Sequence, residues 1–155
     1  MDDPADVLDM TATEAVAALA DGRTTSVALV TAALDRAEAL VDLRLMITLD
    51  REGALAAAAT SDAARAAGEP AGALAGLPVL VKDNLDVAGL PTTGGTPALE
   101  HHRPAADAAV VAALRAAGAV VLGKTNLHEL AFGITTTNLT PFAGAAENPW
   151  DRTRI

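Results

Sequence analysis

The chain has 155 residues, of which 51% are apolar but only 2% aromatic, and it carries a net charge of −9. That acidity argues against non-specific nucleic-acid binding, which needs Lys and Arg to displace phosphate counterions, and against docking on anionic membranes. With no cysteine, disulfides, Cys-zinc sites and a thiol nucleophile are excluded.

The opening Met1-Asp2-Asp3-Pro4 is acidic, the reverse of a signal peptide. Thr11 and Glu14 have the spacing of a capping box, which predicts a helix from about Ala12 to Asp21, stopped by Gly22. A second helix is expected, capped near Thr25 or Ser26. Val27, Val30, Leu34, Ala37 and Val41 give it an apolar face at helical spacing. Leu45 to Leu49 is a short strand candidate. Asp50 can cap a third helix, from about Arg51 to Ala67, ended by Gly68 and Pro70.

The character changes near Gly76. Pro78-Val79-Leu80-Val81 is a continuous apolar run, as in a strand buried on both faces, and it leads directly into Lys82-Asp83-Asn84. Gly89 through Gly95 is expected to be a loop, with a turn at Thr92-Thr93-Gly94-Gly95-Thr96. A helix capped by Asp107 should run to about Ala117 and stop at Gly118. Ala119 to Leu122 is a second buried-type strand, after which Thr125 or Asn126 caps a short helix to about Leu130. The two strands flank one helix, so a βαβ unit with parallel strands and a right-handed crossover is expected. About a quarter of the chain is alanine, which buries little area, so the core is thinner than the apolar fraction suggests. No apolar run approaches the roughly 18 residues of a membrane span. A soluble, cytoplasmic protein is the expectation.

Gly118 to Thr125 satisfies G-x-x-x-x-G-K-[ST], the spacing of a phosphate-binding loop. Its context is wrong. A helix, not a strand, precedes Gly118, and Ala119-Val120-Val121-Leu122 should be a strand rather than a loop that curls N–H groups around phosphate. His101-His102 and His128-Glu129 lack metal-ligand spacing, so no metal and no cofactor is expected.

Lys82 is the most informative residue. It leaves the C-terminal end of an apolar strand, where ligand crevices lie in open α/β sheets. Partial desolvation there favours a neutral amine, a usable general base. Asp83 and Asn84 could orient it. The commoner reading of such a residue is a surface lysine snorkelling into water.

The residues that follow resemble a known family, the amidase signature hydrolases. Leu74-Ala-Gly-Leu-Pro-Val-Leu-Val-Lys-Asp-Asn84 is similar to the segment carrying that family's catalytic lysine. Val87 to Leu99, Asp107 to Gly118, Gly123 to Gly133 and Glu147 to Ile155 continue the likeness in order. The resemblance implies the leading part of an α/β/α sandwich with a mixed central sheet. It implies one incomplete domain, with a helical N-terminal region (1–73) and a βαβ unit (74–155). It also implies hydrolysis or transfer at a carboxylic amide by a Ser–cis-Ser–Lys triad, with Lys82 the terminal base. Asp83, Asn84, Thr125 and Asn126 would support the site, and Phe132, Gly133, Ile134 and Thr135 would lie beside the acyl pocket. The implied substrate is a small-molecule amide, with neither nucleic acid nor membrane as a partner. The implied protein partner is a second copy or the remaining C-terminal portion. Leu127 to Ile134 looks closer to stand-alone hydrolases of small amides than to the A subunit of tRNA-dependent amidotransferases, which is the alternative reading.

The departure from the family pattern is large. In the family both serines come from a Gly/Ser-rich stretch directly after the segment like Asn148 to Ile155. The serines here are Ser26 and Ser61, on the early helices, and neither matches a catalytic position. The 155 residues by themselves are therefore expected to be inactive. They read as the N-terminal part of an amidase, or else as a non-catalytic paralogue or split subunit that binds a partner.

Overall fold

The computed structural model describes residues 8–138 and 140–155; the acidic residues at the N-terminus lie outside them. The elements follow in the order α1 (Ala12–Ala20), α2 (Ser26–Ala39), a 3₁₀ turn (Val41–Leu43), β1 (Met46–Leu49), α3 (Arg51–Ala66), β2 (Pro78–Lys82), a 3₁₀ turn (Pro97–Leu99), α4 (Ala109–Ala116), β3 (Val120–Thr125) and a 3₁₀ turn (Glu129–Ala131). Among the described residues no helix is long and apolar enough to cross a membrane.

The chain divides into two compact units. Among the described residues, one comprises 8–36, 50–79 and 112–122; the other comprises 37–49, 80–111, 123–138 and 140–155.

In the first unit the caps form as the sequence predicts. Thr11 accepts the Glu14 N–H while the Glu14 carboxylate takes the Thr11 N–H at 2.8 Å, a complete capping box. Asp50 accepts the Gly53 N–H at 3.0 Å and opens α3. At the start of α2 the expected cap forms, Thr25 Oγ1 accepting the Ala28 N–H at 3.1 Å, and a second cap comes from a residue that its own sequence does not announce. Asp62, on α3, accepts the N–H groups of Ser26 and Val27 at 2.8 and 3.0 Å. Ser26 is fully buried and donates its hydroxyl to the Gly76 carbonyl. These bonds turn α2 so that Ser26, Leu29, Val30, Ala32 and Leu34 face inward. The expected apolar face is corrected accordingly: Val27 lies at its exposed margin, and Val41 is 72% exposed in the turn beyond the helix. Ala15, Leu19, Leu29 and Leu77 form a core cluster with Met10, Val16 and Leu74 against it. Gly118 ends the α4 segment with φ +90°, and a Cβ there would press on the Ala75 backbone, so only glycine fits.

The sheet order is β1-β3-β2. β1 pairs antiparallel with β3, with Met46 opposite Thr125 and Leu49 opposite Gly123. β2 and β3 run parallel, because Val120 donates to Leu77 at one end and Asp83 donates to Thr125 at the other. The sheet is therefore mixed. β3, at its centre, is buried along nearly its whole length, as a strand covered on both faces should be. β2 departs from that expectation. It lies at the edge of the described sheet and alternates instead, with Val81 buried and Leu80 52% exposed.

In the second unit β3 runs three residues beyond the predicted Leu122, to Thr125. The helix expected from Thr125 or Asn126 does not form. The Asn126 side chain turns instead to backbone carbonyls, and the chain makes a short 3₁₀ turn in which Leu130 and Ala131 have positive φ, which no α-helix can propagate. Likewise α4 starts at Ala109 rather than directly after Asp107, whose carboxylate accepts the Ala88 N–H at 2.7 Å.

Candidate active site

The site is built within the second unit. β2 ends at Lys82, and the strand's alternation dictates the next two side chains. Val81 points inward and Lys82 outward, so Asp83 points inward again. Asp83 is completely buried. A buried carboxylate needs a partner, and it has one that the linear pattern does not announce.

That partner is Lys124, on β3, also completely buried, whose ammonium lies 3.0 Å from Asp83 Oδ1. Lys124 donates further to the Pro91 carbonyl at 2.9 Å and to Thr92 Oγ1 at 3.0 Å. The second carboxylate oxygen of Asp83 accepts from both the Thr93 N–H, at 3.0 Å, and the Thr93 hydroxyl. The Asp83 carbonyl accepts the Gly94 N–H. The loop from Thr92 to Thr96 is buried, against the usual rule for loops: the ion pair satisfies Thr92 Oγ1 and the Thr93 N–H and hydroxyl, and backbone bonds to His102, Asp83 and Leu130 take up others of its polar groups. The phosphate-loop spacing at Gly118–Thr125 is resolved by the same geometry. Its variable residues form β3, and its lysine is already committed to Asp83, Pro91 and Thr92.

Asn126 closes a second knot. Its amide donates to the carbonyls of Arg44 (2.9 Å), Gly144 (3.1 Å) and Ala143 (3.3 Å), and its oxygen accepts from the Leu127 N–H. Asn138 joins it by donating to Asn126 Oδ1. Thr125 is half-buried, and its carbonyl takes the Asp83 N–H.

With Asp83 fixed inside, Lys82 is left facing outward into a cleft of about 850 Å³. The lining includes the apolar Leu45, Ile134, Pro149 and Ile155 and the polar Asn126, His128, Thr135 and Glu147. Glu147 is matched by Arg152 at 2.5 Å, and this hydrogen bond holds the arginine above its ordinary pKa. Lys82 has no polar partner among the described residues there.

Among the other predicted residues, Gly133, Ile134 and Thr135 share this cleft with Lys82. Phe132 does not line it and is 93% exposed. Asn84, two residues after Lys82, is exposed and does not line the cleft. Sequence reasoning misses His128 and Lys124 as site residues. A lysine embedded in Val-Val-Leu-Gly-Lys-Thr is itself a signal, since an apolar strand seldom carries a charge that is not paired. Among the described residues no group of His, Asp and Glu could hold a metal ion.

The amidase family model matches residues 28–155. Curated relatives include the A chain of the glutamyl-tRNA(Gln) amidotransferase of Salinispora tropica, 46% identical over 97% of this chain. The corresponding protein of Streptomyces coelicolor is 43% identical over the same share. The chain spans about 30% of the length of these relatives. Similar solved structures include the peptide amidase of Stenotrophomonas maltophilia, with TM-score 0.84 and 37% identity over 94% of this chain and 31% of that one. A second amidase structure has TM-score 0.85 and 41% identity over 94% of this chain and 33% of that one. The α/β topology with its mixed sheet thus matches amidase structures, and the chain belongs to the amidase family.

Proposed function

We propose that this chain contributes the lysine base of an enzyme that cleaves carboxylic amides. The observation that carries the reading is the division of labour between two lysines of one sheet. Lys124 is consumed by Asp83, Pro91 and Thr92, whereas Lys82, one residue before Asp83, faces an open cleft. A lysine so placed can take a proton from a hydroxyl held beside it, provided it is neutral when it does so.

The proposed mechanism is the one that membership of the amidase family implies, and the placement of Lys82 supports it. Lys82 draws a proton through a bridging serine from a second serine, whose oxygen attacks the amide carbonyl. The amine leaves with a proton returned along the same path, and water then cleaves the acyl-serine ester. Neither serine is Ser26 or Ser61. Ser26 is buried and donates to Gly76, and neither residue lines the cleft. The pair is assigned to sequence beyond the 155 residues, consistent with their spanning about 30% of the relatives' length. Asp83 acts by holding the Lys82 backbone, and Asn126 by holding the cleft wall. Gly133, Ile134 and Thr135 form the acyl side. A small-molecule amide is the proposed substrate, and a cytoplasmic location without nucleic-acid contact by this stretch is part of the same proposal.

A second reading is favoured by the relatives at 43–46% identity, which are A chains of amidotransferases. On that reading the same lysine serves an amidotransferase of which this chain is part of one subunit.

The test is a hybrid in which residues 1–155 replace the matching stretch of the Stenotrophomonas maltophilia peptide amidase. The hybrid is expected to release ammonia from a peptide amide, and residues 1–155 alone to give no acyl-enzyme burst with an activated ester. A folded but inactive hybrid, or a stoichiometric burst from the 155 residues, contradicts the proposal.

A further inference from the structure

The cleft lining turns a corner on backbone that its residues resist. Leu127 and His128 line the cleft with Lys82, and so do the residues from Gly133 to Thr136, but the four between them do not. Those four hold the last 3₁₀ turn, with Leu130 at φ +55° and Ala131 at φ +56°. In this left-handed region a Cβ comes too close to the carbonyl oxygen that follows it, a strain that glycine escapes. Elsewhere among the described residues, positive φ is taken by glycine, Arg44 excepted.

Burial does not explain the strain. Leu130 is 61% exposed, so its left-handed backbone hides little apolar surface. Hydrogen bonds hold the turn instead. The Leu130 N–H donates to the Gly94 carbonyl at 2.6 Å, the Ala131 N–H to the His128 carbonyl at 2.7 Å and the Phe132 N–H to the Glu129 carbonyl at 3.2 Å. Gly94 is itself fixed, donating its N–H to the Asp83 carbonyl at 3.0 Å. Two bonds through Gly94 thus tie the turn to the residue next to Lys82. Beyond the turn the chain folds back, and Gly133 lies against the His128 imidazole, where any Cβ would overlap the ring. Strained backbone persists only where its surroundings over-determine it, and such residues cluster where groups must be aimed.

We propose that Leu130 and Ala131 are positioning residues: their left-handed backbone folds residues 127–136 back on themselves, so that His128 and the stretch from Gly133 to Thr136 line one cleft with Lys82. Gly94 anchors that corner to the end of β2. Neither Leu130 nor Ala131 lines the cleft, so both act through the residues on either side. In the right-handed or extended region the chain would leave the corner in another direction, and Gly133 would part from His128. The effect on rate rests on the amide-cleaving reading of the cleft; the corner itself does not.

The test separates the hand of the backbone from the packing of the side chain. In the 155-residue chain, labelled with ¹⁵N and ¹³C, scalar couplings that report the sign of φ should be positive-φ values at Leu130 and Ala131. A nuclear Overhauser contact should join the His128 ring to the Gly133 Hα. Ala131→Asn installs a residue that visits the left-handed region readily; it should keep the contact, with Tm at or above the parent's. Ala131→Val installs a β-branched residue for which positive φ is an outlier; it should lose the contact and the protection of the Leu130 amide from exchange. In the hybrid, with circular dichroism confirming that each variant folds, Ala131→Val should lower kcat/KM on a peptide amide at least about tenfold, toward the 10²-fold that a misplacement of about 1 Å can cost, and Ala131→Asn should stay within about threefold of the parent. Negative φ at either residue, a lower Tm in Ala131→Asn, or equal kinetic losses in the two variants overturns the inference. Where Ala131→Val does not fold, the couplings and Ala131→Asn still decide. Loss of the contact in Ala131→Val without lysine-dependent hydrolysis in any hybrid refutes the base assignment alone. Lysine-dependent hydrolysis that a folded Ala131→Val hybrid retains in full refutes the positioning role alone.

Discussion

Replacing Lys124 with methionine tests the framework beneath the site. The two side chains are close in length, so the change removes charge and donors while leaving packing nearly intact. Two acceptors lose their donor, the Pro91 carbonyl and Thr92 Oγ1, and Asp83 Oδ1 loses the ammonium 3.0 Å away. Asp83 then remains as a wholly buried carboxylate, held only by Thr93. Breaking a buried pair from one side costs about 3–5 kcal/mol. For a chain of this size that corresponds to a fall in Tm of roughly 6–20 °C, at about 2–4 °C per kcal/mol. Adding Asp83→Asn removes the stranded charge while keeping an acceptor for the Thr93 N–H. The double variant should therefore recover part of the loss, a coupling that a double-mutant cycle measures. Urea titrations followed by circular dichroism give the energies, and hydrogen exchange at the Thr93 and Gly94 amides localises them. If Lys124→Met unfolds within about 1 kcal/mol of the parent, short of the 3–5 kcal/mol expected of a broken buried pair, then the pair does not hold this loop.

The remaining predictions concern caps, a glycine and acid. Asp62→Ala removes the acceptor for two N–H groups of α2 and should cost about 1–2 kcal/mol, like other lost caps, with exchange at Ser26 and Val27 rising first. Gly123→Ala should be more damaging, above about 2 kcal/mol, because Gly123 has φ +154° and its new Cβ would overlap the Thr48 carbonyl across the β1–β3 pairing; loss of sheet signal on melting reports it. The Thr11 backbone N–H and hydroxyl hold Glu14 below the ordinary glutamate value of 4.5. A folded pKa below the unfolded one means stability present above the usual glutamate range and lost as pH falls through the folded value. The α1 amides should accordingly lose protection below about pH 4.5, and Thr11→Ala, which keeps the backbone N–H and removes the hydroxyl, should weaken that dependence.

What can be read from the sequence is local. The Thr11–Glu14 box, the Asp50 cap and the stop at Gly118 each involve residues within a few positions, and all three hold. The run ending at Lys82 shows where a strand delivers a lysine. What the sequence hides depends on partners distant along the chain. Asp62 caps a helix that begins 36 residues earlier, and Asn126 reaches back to the Arg44 carbonyl. Lys124 meets Asp83 only because β3 lies beside β2. Periodicity also overstates the burial of Leu80, since an apolar run does not say whether its strand sits at the centre of a sheet or at its edge. The helix expected after Thr125 fails for a related reason. Propensity favours it, but Asn126 has carbonyls to satisfy elsewhere.

The most direct test of the central claim compares the hybrid with its Lys82→Met variant by kcat/KM on a primary amide, with circular dichroism confirming that both fold. A lysine acting as the base predicts a loss of about 10²- to 10⁴-fold. Activity within about tenfold of the parent hybrid, well short of what a lost general base removes, would show that Lys82 is a surface lysine at a strand end and that the base lies elsewhere.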